Sequence, residues 1–191
     1  MPFLFKANED ISEFEQYKSV LVVPCRFCPA ASSAVKNNEP YIELFRKFMQ
    51  TDSYEQFIKT LKSKLEKKGI RTSIFKSKLI HQFVLCMWTS RRRKELRDRA
   101  KEYEAMIILG CEGAVETVHN AVGSSSCKII QGLETEGLMS IKPRFHLPCN
   151  ISLKLESVTP ILLQESESKK ESPSTFKSRS VYPEQPSSEA L

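Results

Sequence analysis

Apolar and polar positions follow two different periods along this chain. Short uncharged runs, at 19–23 and 105–109, predict strands that are buried on both faces. Stretches with apolar residues at helical spacing separate the runs, and they predict helices over 29–36, 39–49, 53–67, 90–103 and 114–122. Further strands are predicted over 70–75, 128–130, 151–155 and 158–163. We therefore predict an α/β fold, a single domain with an open, mainly parallel sheet of Rossmann-like or flavodoxin-like layering and helices on both faces.

The composition changes near residue 164. From there to residue 191 the chain is rich in Ser, Glu, Lys and Pro and has few large apolar side chains. Such a segment cannot bury enough apolar surface to offset the entropy that ordering would cost. We therefore predict a cysteine-containing α/β domain over 1–163 and a disordered polar tail over 164–191.

The net charge of +6 first suggests an acidic partner such as nucleic acid. However, basic and acidic residues alternate along the amphipathic segments, and the compact basic cluster is the run Arg91, Arg92, Arg93 and Lys94. This pattern indicates a solvated or protein-facing patch rather than a nucleic-acid site.

We find neither a run long enough to span a membrane nor a secretory signal, so we expect a cytoplasmic protein. In that compartment six cysteines indicate metal or redox chemistry rather than disulfides.

The cysteines stand where predicted strands end and helices begin. Cys25 and Cys28 follow the strand 19–23, and Cys111 follows the strand 105–109 between Gly110 and Gly113. In a parallel sheet such turns share one edge, at which ligands bind. A helix N-terminus favours negative charge, so we expect lowered thiol pKa values there.

A fourth thiol can reach the same edge. Cys86 precedes the helix that begins at Ser90, and with Cys25, Cys28 and Cys111 it makes a four-thiolate set. Four thiolates are what a [4Fe–4S] cluster or a structural zinc ion requires. The alternative is that Cys86 and Cys111 are small buried residues, as free cysteines often are. Cys127 begins a strand and is predicted to be structural, whereas the roles of Cys149, His81 and His146 stay open.

The cysteine pattern resembles the methylenetetrahydrofolate reductase C-terminal-like family, the small iron–sulfur partner subunit found in anaerobic bacteria. The segments 21–28 (LVVPCRFC) and 103–118 (YEAMIILGCEGAVETV), with Cys86 between them, carry the resemblance, which covers about residues 18–140. It implies a cluster on the four cysteines and a partner reductase. The chain departs from the family at Arg26 and Phe27, where small residues are usual, and it has a polar tail in place of a cysteine-rich extension.

The leading hypothesis is an iron–sulfur accessory or electron-transfer protein, a non-catalytic subunit that acts with a reductase in one-carbon or folate metabolism. A reductase or ferredoxin-like partner is expected to dock near Arg91, Arg92 and Arg93, close in sequence to Cys86. One alternative is a thiol–disulfide oxidoreductase with Cys25 as the attacking thiolate and Cys28 as the resolving thiol. The other is an interaction module stabilised by zinc on the same four thiols. The chain has no glycine-rich nucleotide loop and no serine nucleophile elbow.

Overall fold

The computed structural model describes residues 2–7, 12–43, 51–76, 84–123, 125–147 and 150–161. The strands are β1 Phe3–Ala7, β2 Ser19–Pro24, β3 Ile42–Glu43, β4 Arg71–Ile74, β5 Ala105–Leu109, β6 Lys128–Gln131, β7 Leu133–His146 and β8 Asn150–Pro160. The helices are α1 Cys28–Asn37, α2 Asp52–Lys67, α3 Ser90–Ala100 and α4 Glu112–Val122, with 3₁₀ turns at Ser12–Phe14 and Leu85–Met87. The predicted tail, 164–191, lies outside the described residues.

Four strands form the parallel sheet that the sequence predicts, in the order β4-β2-β5-β6. The register pairs Val22 of β2 with Ile74 of β4, and Pro24 of β2 with Leu109 of β5. Both central strands, β2 and β5, are buried along their whole length. This burial explains their uncharged sequences, because a strand covered on both faces has no side that meets water.

Successive side chains of β2 and β5 enter two separate cores, one on each face of the parallel sheet. Leu21 and Ile108 pack with residues of α3 and α4, among them Leu96 and Val118. The neighbouring positions, Val22 and Ile107 among them, pack with residues of α1 and α2. The predicted cover of helices on both faces is therefore present. Among the described helices, none is both long and apolar enough to cross a membrane.

A second sheet, which the sequence analysis did not predict, is antiparallel and has the order β1-β7-β8-β3. Its long strand β7 continues β6 after one residue, Gly132. A β-carbon at Gly132 would lie 2.6 Å from Ile107 Cγ2, so only glycine fits where the chain passes from one sheet to the other. The single sheet predicted above is thus only one of two.

The predicted helix over 39–49 is wrong where the structure describes it. Ile42 and Glu43 form β3, which pairs with Ile151 and Asn150 of β8. Backbone hydrogen bonds from a distant strand here outweigh the local helical spacing of apolar residues. Residues 44–50 lie outside the described residues.

The direction of the chain across the parallel sheet reverses between β2 and β5. From β2 the chain passes to β4 on one side, then crosses to β5 on the other side and continues to β6. Such a topological switch point opens a crevice at the carboxyl ends of the two central strands, where α/β proteins commonly bind ligands.

Candidate functional site

Three of the four predicted site cysteines lie at the switch point. The Cys25 N–H donates to the Leu109 carbonyl at 2.9 Å, which continues the β2–β5 ladder by one residue. Cys28 is the first residue of α1, and Cys111 is the N-cap of α4. The turns that follow β2 and β5 therefore carry these thiols to one edge, as the sequence analysis expected.

A glycine brings the two turns into contact. A β-carbon at Gly110 would lie 2.7 Å from the Ala114 β-carbon and 3.3 Å from the Cys25 β-carbon. The absence of a side chain at Gly110 thus lets the start of α4 approach Cys25. Cys111, half-buried, packs against the cores on both faces of the sheet.

Cys86 is close enough to Cys28 for a charge on its thiol to affect the pKa of Cys28. It is exposed and stands in the 3₁₀ turn Leu85–Met87. The N–H of the preceding residue, Leu85, donates to the Cys25 sulfur, so this turn adjoins the switch point. Negative charge on Cys86 contributes to raising the pKa of Cys28.

Backbone N–H groups from three segments point at two of the sulfurs. Leu85 and Phe27 donate to Cys25, and Phe3 of β1 donates to Cys28. Such bonds favour the charged thiolate over the neutral thiol. The antiparallel sheet therefore takes part in the site through β1, although the sequence analysis left β1 out.

Burial nevertheless keeps these thiols protonated. It raises the pKa of Cys25 to about 11, and it also raises the pKa of Cys28. Negative charge on Cys111 acts in the same direction on both. The expectation of lowered thiol pKa values at the helix N-terminus is therefore wrong for this pair, because loss of hydration outweighs the helix dipole and the N–H donors.

Two tyrosines that the sequence analysis did not single out border the thiols. The buried Tyr54 hydroxyl donates to the Leu109 carbonyl at 3.2 Å, the same carbonyl that accepts from Cys25. The Tyr41 ring meets Phe27 edge-on at a centroid distance of 6.4 Å. Tyr54 lies on the apolar face of α2, a position that the helical spacing alone would have assigned to the core.

The bulky residues between Cys25 and Cys28 have distinct roles. Arg26 is buried, and its Nε donates to Glu55 Oε1 of α2 at 2.5 Å. Phe27, in contrast, is 44% exposed. The arginine therefore anchors the loop to α2.

The basic cluster is a surface patch only in part, because Arg91 and Lys94 are exposed whereas Arg92 is buried. Arg92 is 2% exposed, and its guanidinium carbon lies 4.0 Å from the Phe75 ring centroid and 5.2 Å from that of Trp88. It also forms an ion pair with Glu95 at 2.5 Å. Arg93 donates from Nε to the Trp88 carbonyl at 3.1 Å, and Arg91 is exposed. The predicted docking role of Arg92 is thus corrected: this side chain packs in the core.

The remaining candidates lie apart from these turns or outside the described residues. Cys127 is buried and immediately precedes β6, at the amino end of the parallel strands. His146 is exposed near the end of β7, with Nε2 2.9 Å from Ser152 Oγ. His81 and Cys149 fall outside the described residues.

The donor types at the switch point suit a thiolate-bound metal, but the described side chains do not converge on one point. Within the described ranges, no three His, Cys, Asp or Glu residues are grouped so as to hold a metal ion. Binding would therefore have to draw the thiols together, as happens where metal binding is coupled to folding.

Fold and site together define an α/β protein with a cluster of cysteines at the switch point of its parallel sheet. No family model, curated protein or solved structure matches the chain. The resemblance to the reductase-associated family therefore stays a prediction.

Proposed function

We propose that this chain is an iron–sulfur protein in which Cys25, Cys28, Cys86 and Cys111 hold a [4Fe–4S] cluster. The observation that carries the proposal is the meeting of the Cys25–Cys28 loop with Cys111 at the switch point, where backbone N–H groups donate to the sulfurs. Thiolates with N–H donors are the surroundings that iron–sulfur clusters use, and the donors help to set the reduction potential.

The residues of the chain would supply ligands, shielding and a route to a partner. The cluster, when bound, supplies one-electron transfer. Cys25 and Cys28 would release their protons when they bind the cluster, and the buried rings of Tyr54 and Trp88 would shield it from water on the protein side.

A redox partner is proposed to dock on the solvent side of the thiols. The 3₁₀ turn exposes Cys86 and 75% of Met87, and the loop between Cys25 and Cys28 exposes 44% of Phe27. Because Met87 and Phe27 are apolar and Arg91 is exposed whereas Arg92 is buried, a partner would meet apolar contact area as well as the charge of Arg91. A reductase partner in one-carbon or folate metabolism remains part of this proposal, and it rests on the resemblance of 21–28 and 103–118.

The other two hypotheses assign different chemistry to the same thiols. Thiol–disulfide exchange has less support, because the attacking thiol must be an exposed thiolate, whereas Cys25 is 4% exposed and has a pKa of about 11. A structural zinc ion would use the same four thiols, and only an experiment distinguishes it from a cluster.

The test is anaerobic reconstitution with ferrous iron and sulfide. We expect a brown protein with about four iron atoms per chain, whereas zinc and dithiol forms are colourless. Cys111→Ser should lose most of the iron, because it removes a ligand. The matched control, Cys127→Ser, should keep it, since Cys127 lies at the opposite end of the parallel strands. Circular dichroism verifies that both variants are folded.

Two results would contradict the proposal. Equal iron content in the Cys111→Ser and Cys127→Ser proteins would show that the iron is not bound at the switch point. A wild-type protein that stays colourless but retains one zinc ion per chain would establish the interaction module instead.

A further inference from the structure

Large apolar side chains are exposed along the hairpin that β7 and β8 form. Among the described residues, seven such side chains are exposed, and five of them belong to this hairpin or directly follow it: Phe145, Leu147, Leu155, Val158 and Ile161. The two most exposed, Leu147 at 98% and Phe145 at 77%, lie near its distal end. A group of exposed apolar side chains commonly marks a surface that binds a protein or a membrane.

The distal part of the hairpin is a two-stranded ribbon. β1 pairs with β7 only as far as Leu138, and β3 pairs only with Asn150 and Ile151 of β8. Between these contacts, residues 141–144 of β7 pair with residues 152–155 of β8 and with no other described strand. The end of such a ribbon is convex, so it suits a surface that can deform around it.

The two faces of the ribbon differ in polarity, because side chains alternate along each strand and opposite residues share a face. One face carries apolar side chains, all of them half-buried or exposed: Ile141, Pro143, Phe145, Ile151, Leu153 and Leu155. The other face carries polar side chains: Lys142, Arg144, His146, Asn150, Ser152 and Lys154. The sequence from 137 to 155 contains no Asp or Glu. The ribbon is therefore amphipathic and positively charged.

Two carboxylates adjoin the cationic face of the ribbon. Glu156 pairs with Lys142 at 2.5 Å. Glu39, which follows α1, lines a recess together with Arg144 and Lys154, but it already accepts hydrogen bonds from α2. Arg144 and Lys154 are exposed, and neither forms an ion pair with the residues that the structure describes. These two cations therefore remain able to attract an anionic surface.

We propose that this hairpin binds an anionic membrane surface, with Phe145 and Leu147 inserted among the lipids and Arg144 and Lys154 beside the headgroup phosphates. Lys154 stands opposite Lys142, three residues before Phe145. At about 3.3 Å per residue, Arg144 lies about 3 Å and Lys154 about 10 Å behind Phe145 along the ribbon. Interfacial elements bury their apolar side chains by about 5–10 Å, so both cations reach the level of the headgroups.

Charge selects the membrane among the surfaces that an apolar hairpin could meet. A second copy of the chain would bring the cations of two hairpins together, and like charges repel. Anionic lipids attract these cations, and their acyl chains surround apolar side chains at a convex end. The site goes beyond the proposed cluster and does not depend on it.

The test is sedimentation of the full chain, reduced and metal-free, with lipid vesicles. We expect binding to vesicles of equimolar phosphatidylcholine and phosphatidylserine that weakens as salt rises, and little binding to phosphatidylcholine alone. Phe145→Ser and Leu147→Ser should each weaken binding about tenfold, because each removes an apolar side chain from the lipid contact. Met87→Ser, at a position 75% exposed on another element, is the matched control and should leave binding unchanged.

A second set of variants tests the cations. Arg144→Gln and Lys154→Gln should each weaken vesicle binding about fivefold, as expected for a cation near an anionic membrane. Lys59→Gln, at an exposed position of α2, changes the net charge equally and should have no effect.

Insertion itself is measured by fluorescence. The emission of Phe145→Trp should shift to shorter wavelength when phosphatidylserine vesicles are added, whereas that of Met87→Trp should not. The single native tryptophan, Trp88, is 4% exposed and gives a constant background.

Four results would overturn the proposal. They are absence of binding to phosphatidylserine vesicles, equal binding to phosphatidylcholine alone, equal effects of the hairpin and control variants, and an unshifted emission of Phe145→Trp. Binding to soluble poly-glutamate as strong as to vesicles, and unchanged in Phe145→Ser, would indicate an acidic protein partner and would also overturn it. None of these results depends on whether the chain holds iron.

Discussion

Cys25 follows β2 directly and is 4% exposed, so its thiol has little contact with water. Burial raises its pKa to about 11, although N–H groups of Leu85 and Phe27 donate to the sulfur. The thiol of the unfolded chain titrates near 9, so the folded protein holds its proton more tightly. Stability that depends on this difference is fully present below pH 9 and is lost as the pH rises toward 11.

We therefore expect the free energy of unfolding of the metal-free, reduced protein to fall between pH 9 and 11. Cys25 should account for about 2–3 kcal/mol of this fall, since one pKa unit corresponds to about 1.4 kcal/mol. Urea unfolding of the wild type and of Cys25→Ala, at several pH values, measures the contribution. The difference in stability between the two proteins should shrink across this range. A constant difference would mean that the Cys25 thiol is not desolvated in the fold.

Arg92 shows how one residue of a basic run can belong to the core. Its guanidinium lies over the rings of Phe75 and Trp88, and it is held by the Lys76 carbonyl and by Glu95. Arg91, its neighbour in the sequence, is exposed.

Arg92→Ala should destabilise the protein by about 2–3 kcal/mol, through lost packing as well as a lost charge. Arg91→Ala, the control on the same helix, should change stability by no more than about 0.5 kcal/mol. Thermal or urea unfolding of the two variants measures both effects. Equal effects would place the Arg92 side chain at the surface and restore the predicted basic patch.

At the scale of elements, the turn from β5 into α4 carries two glycines with different surroundings. A β-carbon at Gly110 would meet Ala114 at 2.7 Å, whereas one at Gly113 would have Cys111 Sγ at 3.8 Å as its nearest neighbour. The first glycine therefore permits the close approach of α4 to Cys25, and the second lies in a helix with space around it.

Gly110→Ala should cost about 1–3 kcal/mol, because the added methyl group forces α4 away from the strand. Gly113→Ala should be neutral or stabilising by up to about 1 kcal/mol, because alanine loses less conformational entropy in a helix. Urea unfolding compares the two, and iron content after reconstitution should fall only for Gly110→Ala. The reverse order of stabilities would contradict the packing described for this turn.

At the scale of the molecule, the parallel and antiparallel sheets meet through Gly132 and through β1. The Phe3 N–H donates to Cys28, and the Phe5 N–H donates to the buried Ser32 hydroxyl at 3.0 Å. The proposed site therefore depends on β1 of the antiparallel sheet as well as on the turns of the parallel sheet.

The tail predicted over 164–191 supplies neither a cysteine nor a histidine. A chain that ends at Leu163 should therefore keep the melting temperature and the iron content of the full chain, since its composition predicts no buried surface. Calorimetry and iron analysis of both lengths test this. A fall in melting temperature of several degrees would show that the tail packs on the domain.

Strong local patterns predicted much of the fold. The uncharged runs of β2 and β5 and the amphipathic spacing of α2 were predicted correctly, because burial on both faces or on one face leaves a periodic signal in the sequence. The order of strands and helices placed Cys25, Cys28 and Cys111 at one edge, since the ends of parallel strands share an edge.

Other features depend on partners that are distant in the sequence, and only the tertiary structure decides them. Ile42 and Glu43 are extended because they pair with β8, more than a hundred residues later. β7 is a long strand because both β1 and β8 pair with it, and its mixed sequence gives no strong alternation. The pKa of Cys25 and the burial of Arg92 likewise depend on which distant segments of the chain pack against these side chains. The sequence by itself thus determined the strands of the parallel sheet, the helices that cover it and the edge where the cysteines lie. The tertiary structure decided the second sheet, the protonation of the thiols and the exposed surface around them, because pairing and desolvation arise from contacts between distant residues.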